Sequence, residues 1–61
     1  MPMAGTELRK LRQRLKLTQA QMAKKVGVHS NSLARMERGE MTISEPVARL
    51  VRFIGAASRK V

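Results

Sequence analysis

The chain has 61 residues, no cysteine and a net charge of +9, from thirteen Lys and Arg against four Asp and Glu. That length allows one small domain stabilised by helix packing, because disulfides and a Cys/His zinc cluster are excluded and the lone His29 cannot build a metal site. A pI near 11.8 marks an electrostatic nucleic-acid footprint, a single aromatic residue, Phe53, argues against base-stacking single-strand or RNA modules, and neither a membrane span nor a secretory signal is visible.

Met1 to Gly5 show no periodicity and read as a flexible arm over 1–5, either disordered or touching DNA or a second subunit. Thr6 is placed to cap a first helix over 6–16, with Glu7 in the turn where the helix dipole favours an acid. Leu8, Leu11 and Leu15 form its apolar stripe, Arg9, Lys10, Arg14 and Lys16 cover the rest, and Arg12 sits at the stripe's edge. Leu17 precedes the next helix as a hydrophobic staple. Thr18 and Gln21 have the spacing of a capping box that opens a helix over 19–26. Met22, Ala23 and Val26 lie on one face of it and Lys24 and Lys25 on the other; Gly27 ends it and Val28 is a buried turn residue.

A short helix over 30–38 follows, with Leu33 and Met36 inward, Ser30, Asn31, Ala34 and Arg35 outward, and Gly39 closing it. Glu40 to Ile43 form a loop anchored by Ile43; Glu40 is unhelpful to DNA binding and has no evident role beyond a contact with Arg38. Ser44 or Glu45 starts a fourth helix over 45–56, with Pro46 in its first turn. Val47, Leu50, Val51 and Ile54 face the core and Arg49 and Arg52 point outward. Gly55 ends or weakens this helix, Ala56 and Ala57 are able to extend it, and 58–61 form a basic tail.

Two short helices joined by a three- to four-residue turn containing glycine make a helix-turn-helix, whose second helix can enter the DNA major groove. The expected fold is therefore all-α: four helices in one domain around a central helix-turn-helix. The residues Leu11, Arg12, Leu17-Thr18-Gln19, Met22-Ala23, Gly27-Val28, Leu33 and Met36-Glu37-Arg38-Gly39 resemble the Xre/Cro family of phage and bacterial repressors over roughly residues 6 to 55. The resemblance implies a compact lambda-repressor-like domain. It also implies that Gln19 braces the DNA backbone and that Arg12 and Glu37 form a partly buried salt bridge. The matched base-reading positions are Ser30, Asn31 and Arg35, with Thr18, His29, Ser32 and Arg38 toward the backbone. Arg35 can fork to guanine O6 and N7, Asn31 can pair with adenine or hold a phosphate, and Ala34 can touch a thymine methyl. His29 stands where relatives often carry Ser or Thr as a cap; histidine caps poorly, so it weakens the helix start, gains a phosphate contact, or is an exposed residue without a role. Longer relatives dimerise with help from a fifth helix, for which this sequence leaves too little room, so the dimer interface falls to Phe53, Ile54 and Ala57, with Val61 and the N-terminal arm as further candidates.

The expected function is that of a sequence-specific regulator of transcription: a repressor that binds an inverted-repeat operator in double-stranded DNA as a homodimer. It would work without cofactor in the cytoplasm of a bacterium or phage-infected cell. A phage repressor, an autorepressing antitoxin, a restriction–modification controller and an anti-CRISPR-associated regulator are not separated by these residues. The alternative is an antitoxin or other interaction module whose main partner is a protein, which apolar rather than basic outer faces would favour. A cationic membrane binder is disfavoured by the turn glycine and the caps. An enzyme is not expected, for lack of paired carboxylates, a Ser/His/Asp set, a phosphate-binding glycine loop or a metal cluster.

Overall fold

Met3 is 4% exposed and belongs to the hydrophobic core, Ala4 caps the first helix and Gly5 lies in it, so residues 3–5 are not the flexible arm expected of them. The computed structural model describes residues 3–58; Met1, Pro2 and the tail positions 59–61 lie outside the described residues. Helix α1 spans Gly5–Arg14, with Ala4 as its N-cap and no side-chain capping bond. The expected Thr6 cap is therefore not used. The reason is tertiary: Gly5 lies so close to the end of the third helix that an added Cβ would collide with the Met36 carbonyl oxygen and stand 2.7 Å from that of Glu37. That approach draws Gly5 into the helix and leaves Thr6 exposed within its first turn.

Helix α1 ends two residues earlier than its apolar stripe suggests. Leu15 caps it and Lys16 takes φ +59, a left-handed conformation that costs a non-glycine residue about 1–2 kcal/mol. The turn is closed by Leu17 N–H donating to the Arg12 carbonyl at 3.2 Å and Lys16 N–H to that of Gln13 at 3.0 Å. This crossed pair satisfies carbonyls that the helix end would otherwise orphan.

Helix α2 spans Gln19–Val26, α3 Ser30–Glu37 and α4 Glu45–Ser58. Among the described residues there is no strand. Helix α3 packs on α1 and α2, and α4 closes the other side against α1 and α2. Each helix contributes one large, fully enclosed side chain: Leu8, Met22, Leu33 and Val51. Burying such a side chain stabilises the fold by roughly 1.5–3 kcal/mol, so these four set the mutual placement of the helices. Met3, Ala23, Val26, Met36, Ile43 and Ala48 complete the core, and Leu11, Leu15, Leu17, Val28, Val47 and Ile54 pack around it half-buried.

Helix α4 is rotated from its expected setting. Leu50 is 37% exposed rather than inward, while Ala48 is 1% exposed and Gly55 is buried. The inward positions 48, 51 and 55 recur at i, i+3 and i+7, with Val47 and Ile54 flanking them. A Cβ on Gly55 would stand 3.1 Å from Leu11 Cδ2, so small side chains let α4 lie close on α1. Gly55 thus sits inside the helix at a packed crossing and does not end it.

Candidate nucleic-acid interface

The surface that can meet DNA is assembled from α2, the turn after it and α3. Helix α2 starts with a complete capping box. Thr18 Oγ1 accepts from Gln21 N–H at 3.1 Å and Gln21 Oε1 accepts from Thr18 N–H at 2.9 Å. The helix ends at Gly27, whose φ of +79 places it where a Cβ is disfavoured. Gly27 and Val28 N–H groups both return to the Ala23 carbonyl, at 2.9 and 3.0 Å. Val28 is half-buried, less enclosed than expected for a turn residue.

His29 does cap α3: its Nδ1 accepts from Asn31 N–H at 3.1 Å. An accepting Nδ1 places the ring proton of the neutral imidazole on Nε2, so the exposed ring keeps one N–H donor for an outside acceptor. The expectation that this residue weakens the helix start fails because an imidazole nitrogen here does what a Ser or Thr oxygen does elsewhere. Along α3, Asn31 and Arg35 are exposed, one turn apart, and Ser30, Ser32 and Ala34 are half-buried. Arg38 follows as an exposed C-cap.

The rear of α3 is held by Glu37, a charged residue within the core. Its carboxylate accepts from Arg12 Nε at 2.6 Å and Arg12 Nη2 at 3.1 Å. Gln19 Nε2 adds a third donor at 3.2 Å. Arg12 Nη1 also donates to the Leu17 carbonyl at 2.9 Å. The side chains of Arg12 and Glu37 are 13% and 4% exposed, so this is a desolvated bidentate pair, the geometry that best offsets the cost of burying two charges. It joins α1, the α1–α2 turn, α2 and α3. Gln19, expected to brace the DNA backbone, has its amide nitrogen turned inward to Glu37, which leaves one amide N–H and the amide oxygen uncommitted. The residue braces the interior first, a role invisible without knowing that Glu37 lies beside it.

The other three acidic residues also face arginines. Glu7 lies 4.0 Å from Arg52, and Glu45 lies 3.8 Å from both Arg49 and Arg52. Glu40 binds Arg38 through both oxygens, at 2.8 and 3.2 Å, and lies 3.9 Å from Arg35. Hydrogen bonding and charge from Arg38 hold the Glu40 carboxyl below the ordinary glutamate range and the Arg38 guanidinium above its own. The loop glutamate that the sequence left nearly without a role is therefore engaged with two cations at the end of α3. By contrast, Arg9, Lys10, Arg14, Lys16, Lys24 and Lys25 are exposed with no carboxylate within bridging distance among the described residues. Among the described residues, the unpaired positive charge thus lies on the outer faces of α1 and α2 and in the turn between them.

Of the residues expected at a dimer contact, Phe53 is 70% exposed, Ala57 is exposed and Ile54 is half-buried. Leu50, taken from the sequence as core, joins Phe53 on the outside instead. Val61 lies outside the described residues.

A capped short helix, a left-handed glycine turn and a second short helix with Asn31 and Arg35 exposed define a helix-turn-helix domain of the DNA-binding kind. The chain belongs to the helix-turn-helix domain family, whose model matches residues 4–60. No curated protein matches the chain. Among the described residues, no helix is long and apolar enough to cross a membrane.

Proposed function

We propose that the chain is a transcriptional repressor that binds an inverted-repeat operator in double-stranded DNA as a homodimer. The observation that carries this reading is the pairing of an exposed Asn31 and Arg35 on α3 with the buried Glu37 at the helix's rear, which holds the helix rigidly on α1 and α2. Ser30, Asn31 and Arg35 are the base-reading residues. Thr18, Ser32 and Arg38 meet phosphates, and the His29 Nε2–H adds a donor. Gln19 gives one amide N–H to Glu37 and keeps the other, which is available to a phosphate, so it braces the DNA backbone as well as the interior. The second copy packs on α4 at Phe53, Leu50 and Ala57, with half-buried Ile54 beneath them, and the two α3 helices then face successive major grooves about 34 Å apart. The regulator acts in the cytoplasm of a bacterium or a phage-infected cell.

Selection of bound sequences from a random DNA pool would yield the operator, and Arg35→Ala tests the reading. A bidentate arginine–guanine contact discriminates by roughly 1–3 kcal/mol per half-site. The substitution should therefore lower operator affinity sharply and relax the preference at one guanine in each half-site, with sedimentation showing two chains per duplex. Arg49→Ala, which removes a cation from the outer face of α4, should shift only the salt dependence. An equal loss on operator and random DNA would make Arg35 a backbone contact and refute its reading role.

A further inference from the structure

Glu40 lies on the surface proposed to bind DNA, yet it is an anion. Its position does not depend on a side-chain rotamer alone. Gly39 takes φ +78, its N–H donates to the Met36 carbonyl at 3.2 Å, and the Glu40 N–H donates to the Arg35 carbonyl at 2.9 Å. This is a Schellman closure, and it pins the Glu40 backbone over the last turn of α3. From there the carboxylate grips Arg38 at 2.8 and 3.2 Å and stands 3.9 Å from Arg35 Nε.

The three side chains are between 53% and 57% exposed. Ion pairs so open to water contribute little to stability, so the fold does not need this one; the buried Glu37 does the structural work nearby. A carboxylate and a phosphate offer the same two-oxygen fork to a guanidinium. Glu40 therefore occupies the place on Arg38, and stands beside the place on Arg35, that DNA phosphates would take.

We propose that Glu40 is a specificity-determining residue, an internal competitor of the phosphate backbone for Arg35 and Arg38; the proposal rests on the reading of α3 as the DNA-contacting helix. On random DNA both arginines have only phosphates to gain, and each must leave Glu40 to gain one. At the operator Arg35 can present its two terminal nitrogens to a guanine edge while its Nε stays toward Glu40, so it need not leave. Glu40 thus costs random binding at two cations and operator binding at one, a repulsive element that widens the gap between right and wrong sequences.

The test is Glu40→Gln in the full chain, measured on the selected operator and on a random duplex at several salt concentrations. Glu45→Gln is the control: it changes the net charge equally but sits on α4 against Arg49 and Arg52. Each phosphate newly neutralised adds about 0.9 to the salt slope, and each cation freed from so exposed a pair gains at most about fivefold in affinity. Glu40→Gln should therefore raise random-duplex affinity about two- to fivefold more than Glu45→Gln does and steepen its salt slope. Operator affinity should rise less, so the specificity ratio falls. Equal shifts for the two variants would reduce the effect to net charge and overturn the proposal. So would equal gains on operator and random DNA, or no gain on either. If the unsubstituted chain itself selects no sequence, the reading of α3 as a DNA reader fails; if it selects an operator and Glu40→Gln alters nothing, only the competitor role fails.

Discussion

Removing the Glu37 carboxylate should expose how much of this small fold hangs on one ion pair. In Glu37→Ala, Arg12 loses two hydrogen bonds and its counter-charge while its side chain stays 13% exposed. Gln19 loses its inward acceptor as well. Breaking a buried pair from one side costs about 3–5 kcal/mol. The lower end applies here, because Arg12 keeps its bond to the Leu17 carbonyl and some contact with water. A 61-residue domain has a total stability of about 3–9 kcal/mol, so a loss of about 3 kcal/mol removes a third or more of it. At about 4–8 °C per kcal/mol for a domain of this size, the unfolding midpoint should fall by roughly 12–24 °C. Circular dichroism at increasing temperature measures it. Arg12→Ala and the double variant complete a cycle in which the double variant should be clearly less damaged than the sum of the singles. Replacing the pair together, as Arg12→Met with Glu37→Leu, should recover most of the loss, because apolar substitutes avoid the desolvation cost. A Glu37→Ala midpoint within about 3 °C of the parent, or strict additivity in the cycle, would show that the pair is not energetically coupled.

Gly5→Ala inverts an ordinary rule. In an exposed helix this change stabilises by about 1 kcal/mol, but here the new methyl meets the Met36 and Glu37 carbonyls. A net loss of about 1–3 kcal/mol is expected by thermal or denaturant unfolding; an unchanged or raised midpoint would show that α1 does not touch the end of α3. The Glu40 carboxyl, followed by NMR, should titrate below the ordinary glutamate value of about 4.3 and return toward it in Arg38→Ala. Since its folded value is lowered, the clasp contributes above the ordinary glutamate range and is lost as pH falls through the lowered value. An ordinary value in both forms would mean that the Arg38–Glu40 contact is absent in solution.

Residues that interact with near neighbours in the chain were readable from their spacing. Thr18 and Gln21 stand three apart, and they cap α2 reciprocally. Gly27 and Gly39 follow the last apolar position of their helices, and both take positive φ. The family-wide pattern that placed Arg12 with Glu37 works across 25 positions of sequence only because the resemblance supplied the fold in advance. Nothing in the residues of α4 distinguished Leu50 from Ala48 as the inward one. Both are apolar, and hydrophobicity favours the larger, whereas the crossing with α1 admits the smaller.

The sequence by itself determined where α2 begins and ends and placed α3 to within one residue, over 30–38 against the observed Ser30–Glu37, because a capping box, helix-terminal glycines and apolar recurrence are relations among residues a few positions apart. Only the tertiary structure decided four further matters. The end of α3 draws Gly5 into α1, which overrides the Thr6 cap and leaves Met3 enclosed in the core. Close contact at Leu11 sets the rotation of α4 and turns Leu50 outward. The buried Glu37 turns the Gln19 amide inward. The closure after α3 carries Glu40 back over Arg35 and Arg38. In each case the deciding contact joins backbone or side chains whose approach depends on how whole helices pack, and a helix's own periodicity holds no information about what its neighbour presents.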